Sequence, residues 1–183
     1  TRGKGRTVMP PMRLISRSMI YQGRVIQLIR EVLQVGTRRF VRDTVRHPGA
    51  VVIVPMLDRE HLVCVRQYRR AVGRTLLELP AGTLEKGESK RACAQRELEE
   101  ETGWRARSMR RIGQFYAAPG CLSEQLTIYL AEGLSRGHAH PEPDEDLQPV
   151  RLTMKTALAK IANGDICDAK TIIGILFTHR LLT

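Results

Sequence analysis

The chain has 183 residues, of which 42% are hydrophobic, 27% charged and only 4% aromatic. This is ordinary globular composition; it excludes a disordered or collagen-like chain and predicts one domain with an arm, its core built mostly of Leu, Ile, Val and Ala. The net charge of +11 is uneven: residues 1–46 hold eleven Lys and Arg against two acids, and the rest hold nineteen against seventeen, so the basicity belongs to the N-terminal segment and the body is close to neutral.

Residues 1–17 show no periodicity and read as a flexible basic leader. Residues 18–46 turn to short β-type runs, Met19–Tyr21, Val25–Val35 and Arg39–Val45, with Gly36 suited to a hairpin turn. This segment reads as an N-terminal β unit, and residues 47–183 as the main domain. Within the main domain, Ala50–Leu57 and His61–Tyr68 are split by the polar Asp58-Arg59-Glu60 and read as an antiparallel pair. Leu76–Pro80 is a further short strand. Ser89–Thr102 is the clearest helix, closed by Gly103, which suits a left-handed C-terminal cap. Strands follow at Ser108–Ala117 and Gln125–Gly133, then an acidic loop over 137–146 and a strand near Leu147–Leu152. Two helices end the chain, Lys155–Asn163 and Asp168–Leu182, with Asp168 placed to cap the second. The sum is an α+β chain, a mixed sheet flanked by about three helices.

No apolar run approaches the roughly 20 residues that a membrane helix needs. Thr1 is followed by a basic stretch, with no apolar signal-peptide pattern. Four cysteines at 64, 93, 121 and 167 form no CxxC and read as reduced thiols, which sets cytoplasm as the expected compartment.

The informative segment lies on and before the helix. On a wheel of about 100° per residue, Glu101 falls about 40° and Glu100 about 60° to either side of Glu97, beside the apolar strip that contains Ala94 and Leu98. Like charges at this spacing destabilise an isolated helix by roughly 0.2–0.5 kcal/mol per pair, and a bound cation removes that repulsion. Hard divalent ions, Mg²⁺ above all, prefer a few carboxylate oxygens with water and substrate phosphate. Arg96 stands four residues before Glu100 and can brace the acids, while Glu88 lies near the helix start.

Read in full, the segment is Gly82-x5-Glu88-x7-Arg96-Glu97-Leu98-x-Glu100-Glu101-x-Gly103-Trp104. It resembles the Nudix box at all seven fixed positions, with Trp104 where an aliphatic is more usual. The chain therefore resembles the Nudix hydrolases, which implies an α/β/α sandwich with a mixed central sheet. It also implies cleavage of a nucleoside diphosphate linked to another moiety. Two or three Mg²⁺ or Mn²⁺ ions would be held by Glu97, Glu100, Glu101 and the Ala81 carbonyl, with Arg96 and Glu88 orienting the ligands.

Flanking residues are similar to the ADP-ribose pyrophosphatase branch: Gln67-Tyr68-Arg69, Glu78-Leu79-Pro80-Ala81-Gly82, Pro119-Gly120-x-x-Ser123-Glu124, and the run Asn163–Thr171. Pro119 lies fifteen residues after Trp104, where a proline marks that branch. The resemblance implies hydrolysis of ADP-ribose to AMP and ribose 5-phosphate, with Glu100, Glu101, Arg96 and Glu145 in the catalytic set. Glu145 is the expected loop acid that activates or orients water, and Glu142 is the alternative. Arg69, Glu78, Gly120 and Glu124 are the expected substrate contacts. The branch commonly dimerises by exchanging N-terminal strands, so Arg42 and Arg46 would reach the partner's substrate and an aromatic near Tyr21 would stack on adenine. The rival substrates are GDP-mannose and ADP-glucose; a capped RNA end, or RNA binding alone, fits less well with the neutral body and sparse aromatics.

Overall fold

The computed structural model describes residues 11–138 and 147–183. The described residues form two compact units: one is built from those up to His47 with Ala118–Ser123, the other from those of Pro48–Ala117 and from Glu124 onward.

The first unit is an antiparallel meander of β1 (Arg13–Gln22), β2 (Gln27–Val35) and β3 (Arg38–Arg46), in the order β1-β2-β3. Cross-strand ion pairs tie its surface: Arg17 to Glu31 at 2.7 Å, and Arg30 to Asp43 through two bonds of 2.8 Å. The returning segment is held by Val45 N–H donating to the Cys121 carbonyl at 2.8 Å and Ser123 N–H donating to the Val45 carbonyl at 2.9 Å. One expectation is corrected here. β1 starts at Arg13, inside the stretch read as leader, because a strand exposed along its whole length carries no inside-outside alternation to announce it.

The second unit contains β4 (Ala50–Pro55), β5 (His61–Arg69), β6 (Arg74–Glu78), β7 (Ala81–Thr83), α1 (Lys90–Thr102), β8 (Trp104–Tyr116), β9 (Gln125–Arg136), β10 (Leu147–Thr153), α2 (Met154–Ala162) and α3 (Ala169–Leu182). One sheet runs β7-β4-β9-β8, mixed because β4 and β9 are parallel; the other, β10-β5-β6, is antiparallel. β4 is buried throughout, and its alternate side chains enter two cores. Val52 and Val54 pack with Leu79, Ile128 and Ile175 on the side of α2 and α3, whereas Val51 and Ile53 pack with Cys93, Ala94 and Leu98 of α1. Burying one such side chain is worth roughly 1.5–3 kcal/mol. Helices on both faces of a mixed sheet give the α/β/α sandwich of an α+β fold. Among the described buried hydrophobics only Tyr129 is aromatic, as the composition required.

β4 and β5 do not form the expected pair; they belong to different sheets, and the turn between them carries an isolated antiparallel bridge from Met56 to Leu62. Both edges of β4 are already used. β9 takes one, β7 takes the other over Ala50–Val52, and Ile53 N–H continues that edge by donating to the Pro80 carbonyl at 2.8 Å.

Candidate active site

The glutamate-bearing helix is fixed at both ends by local chemistry. Ser89 Oγ accepts from Ala92 N–H at 3.2 Å, so Ser89 caps the helix rather than opening it. Gly103 adopts φ 69° at the other end, and its N–H donates to the Glu99 carbonyl at 2.8 Å. Cys93, Ala94 and Leu98 form a narrow apolar stripe that sets α1 close to the sheet. Glu97 is thereby laid against β7. A Cβ at Gly82 would stand 1.8 Å from the Glu97 carboxyl carbon, so only glycine admits this approach. One turn on, Glu101 is 3% exposed, and its Oε2 accepts from Ala81 N–H at 3.3 Å.

Arg96 is the hub of the cluster. Its Nε and Nη2 donate to the two Glu88 oxygens at 2.9 and 3.0 Å, and its Nη1 donates to Glu97 at 2.8 Å and Glu100 at 2.9 Å. The bond from Arg96 holds the Glu88 carboxyl below the usual range, and the same contacts raise Arg96 further. Glu99, the remaining acid of the run, is taken up by Arg105 at 2.7 Å. Burial pushes the Cys93 thiol up to about 12, with Glu88 and Glu97 adding to it, so this thiol is no nucleophile.

One guanidinium among Glu88, Glu97 and Glu100, with Glu101 buried beside them, leaves an excess of negative oxygen on one helix face. Hard oxygen donors and a glycine cradle at Glu97 suit a divalent cation such as Mg²⁺. As the side chains stand, no group of three His, Cys, Asp or Glu among the described residues is placed to hold a metal ion. Arg96 occupies the place between Glu97 and Glu100 that a cation would contest.

Beside β7 opens a pocket of about 330 Å³, walled by Arg69, Asp168, Lys170, Glu124, Phe115 and Leu126 and by β7 itself. Arg69 donates through Nε and Nη2 to Glu78 at 2.8 and 2.7 Å, and Lys170 Nζ donates to the same carboxylate. Burial pushes the Glu78 carboxyl up, but Arg69 and Lys170 outweigh burial and hold it below the usual range. β7 is therefore shared: Ala81–Thr83 line the pocket, while Ala81 N–H and Gly82 meet Glu101 and Glu97.

The expected site residues thus fall into groups. Glu88, Arg96, Glu97, Glu100, Glu101 and Ala81 come together around α1 and β7. Arg69 and Glu124 line the pocket; Glu78 is 1% exposed and faces Arg69 and Lys170 instead. Arg42 and Arg46 are exposed on β3 and Tyr21 is exposed on β1, while Gly120 lies in the 118–123 segment; all belong to the first unit. Glu142 and Glu145 lie outside the described residues. Lys170 is a pocket residue that motif reading does not single out; its one signal is membership of the Asn163–Thr171 run.

A profile of the NUDIX domain matches residues 46–172. An ADP-ribose pyrophosphatase of Bacillus subtilis (strain 168) is 37% identical over 166 residues, covering 89% of this chain and 90% of its own. A methanol dehydrogenase activator of Bacillus methanolicus is similar to the same degree, 37% over 166 residues with 89% and 90% covered. A solved structure described as an ADP compounds hydrolase superposes with a TM-score of 0.86 at 23% identity over 97% of each chain, a likeness of fold.

Proposed function

We propose, since the chain belongs to the NUDIX family, that it hydrolyses the pyrophosphate of ADP-ribose to AMP and ribose 5-phosphate. The observation that carries this reading is the shared strand β7, with carboxylates gathered on one side and a pocket walled by Arg69 and Lys170 on the other. A pyrophosphate ester needs both: positive charge around its phosphate oxygens and a site that can deliver a deprotonated water.

Glu97, Glu100, Glu101 and the Ala81 carbonyl would hold the divalent ions, two or three of Mg²⁺ or Mn²⁺. When bound, these ions supply neutralisation of phosphate charge and a lowered pKa for a bound water. Arg96 keeps the carboxylates ionised and oriented, assisted by Glu88 from the loop. Arg69 and Lys170 bind the phosphates by charge-assisted hydrogen bonds. Glu124 accepts from sugar hydroxyls, and Gly120 lets the chain approach the substrate. Glu145 takes the proton of the attacking water, with Glu142 as the alternative. The oxygen of that water bonds to one phosphorus, the bridging P–O bond breaks, and each product keeps one phosphate.

The active species is a homodimer joined through the β1–β3 sheet, from which Arg42, Arg46 and Tyr21 contact the partner's substrate. In support, β1 carries Leu14, Ile15, Met19 and Ile20 exposed, an apolar surface that a second copy would cover. Among the described residues no helix is long and apolar enough to cross a membrane, and the four cysteines are unpaired, which supports a cytoplasmic setting.

Turnover of ADP-ribose, GDP-mannose, ADP-glucose and a capped RNA, with Mg²⁺ and with chelator, tests the proposal. Preference for ADP-ribose that is lost with chelator is the expected result. Preference for another nucleotide sugar would keep the chemistry and replace the substrate; no metal-dependent cleavage of any would overturn the enzyme reading.

A further inference from the structure

Glu78 ends β6 with its carboxylate sealed from solvent, yet its partners are two cations of the pocket wall. Arg69 comes from β5 and binds it with a two-bond fork; Lys170 comes from the first turn of α3. Lys170 Nζ also forms an ion pair with Asp168 Oδ2 at 3.0 Å. Asp168 caps α3 by accepting from Thr171 N–H at 3.0 Å and from Thr171 Oγ1 at 2.6 Å. Thr171 Oγ1 accepts in turn from Leu79 N–H at 2.8 Å, so the circuit closes one residue from Glu78.

Arg and Lys side chains are long, and each loses much rotamer freedom when a substrate must order it. Here the ordering is done in advance. A bidentate fork fixes the plane of the Arg69 guanidinium, and a carboxylate shared by both cations fixes the distance between them. An isolated buried carboxylate is costly, and the two cations offset that cost.

We infer that Glu78 is a positioning residue: it sets Arg69 and Lys170 as a paired cationic wall on which the diphosphate of the substrate docks, and does not touch the substrate itself. This inference rests on the proposed hydrolysis of a nucleoside diphosphate sugar. Fixing the wall before binding makes the contribution one of binding, present equally in ground and transition states, so it belongs to KM.

The experiment is steady-state kinetics of Glu78→Gln and Arg69→Lys, singly and combined, with thermal melts of each. The expected result is a KM for ADP-ribose raised by about tenfold or more in Glu78→Gln, with kcat held within about threefold. Arg69→Lys, which raises KM in the unaltered protein, adds less than about twofold once Glu78 is replaced, because the two act through one contact. A merely structural role would lower the melting temperature and leave the two KM effects additive; that result, or an unchanged KM in a folded variant, overturns the inference. Should Glu78→Gln fail to fold, Glu78→Asp carries the same test: the charge remains and the carboxylate retracts by one methylene. A raised KM with the melt retained then supports the inference, and an unchanged KM overturns it. Calorimetric titration with inorganic pyrophosphate, without metal, reads the cationic wall independently of turnover. If the unaltered protein binds pyrophosphate without cleaving ADP-ribose, and Glu78→Gln weakens that binding, the hydrolase reading fails and this one stands.

Discussion

Two charge clusters flank β7, and they are opposites. Around Arg96 one guanidinium serves Glu88, Glu97 and Glu100; around Glu78 one carboxylate serves Arg69 and Lys170. The first therefore keeps unspent negative charge, while in the second Lys170 also pairs with Asp168, so two cations meet two carboxylates. Burial follows the same division of labour. Glu100 of the acidic cluster has a side chain 34% exposed and open to a further partner, whereas Glu78 is 1% exposed and fully committed. An excess of carboxylate is what a hard cation seeks, and Arg and Lys donors held in place are what a phosphate seeks. The acidic cluster is left with two carboxylate charges beyond Arg96, and the balanced one with cations already fixed in place; these are the functional parts.

The comparison can be broken most severely at Glu101. Glu101→Gln keeps an oxygen that can accept from Ala81 N–H but removes the charge, so kcat should fall by about 1,000-fold or more, roughly 4 kcal/mol of barrier, while the melt moves little. Survival of activity within about tenfold would detach the acidic cluster from catalysis. Gly82→Ala should come next. Its methyl would meet the Glu97 carboxyl group at 1.8 Å and push it off β7, and we expect a loss of about 100-fold in kcat with the pairing of β4 and β7 kept. Activity close to the unaltered level would mean that the placement of Glu97 on β7 does not matter.

The smallest effect is on stability and concerns pH. The folded Glu88 carboxyl titrates below its unfolded value, so its pairing with Arg96 stabilises the fold fully above the unfolded value of about 4.3 and is lost as pH falls through the folded one. Glu88→Gln should therefore melt below the parent near neutral pH, by a gap that closes only on acidification. A gap independent of pH would assign the loss to packing and not to charge.

Much of the acidic cluster was legible in the sequence because it is local. Ser89, Gly103 and the spacing of Glu97, Glu100 and Glu101 lie within one helix, whose geometry is known before the fold is. The second cluster was not legible in the same way. Arg69, Glu78 and Lys170 come from three elements, and no period links them; only the likeness of flanking segments to a known branch pointed to Arg69 and Glu78, and to Lys170 merely as a member of the Asn163–Thr171 run. The strand pairing of β4 failed for a related reason: a strand buried on both faces shows a plain apolar run, which says that it is central but not which neighbours it takes. β7, only three residues long, left no pattern at all, although it joins the two clusters. Glu101 is also more deeply buried than a solvated acidic face would be, a fact that follows from the closeness of α1 to β7 and from nothing in its spacing.

The double-sided burial of β4 has a consequence in time. Val51 and Ile53 are locked in one core, Val52 and Val54 in the other, and β7 is carried on the edge of that strand. A segment anchored in two cores opens only when the whole unit opens, so its amides exchange with solvent at the rate of global unfolding. The floor under Glu97 and Glu101 thus belongs to the slowest motion of the molecule. Substrate arrival and product departure must be served by side chains and loops around it, never by the strand itself.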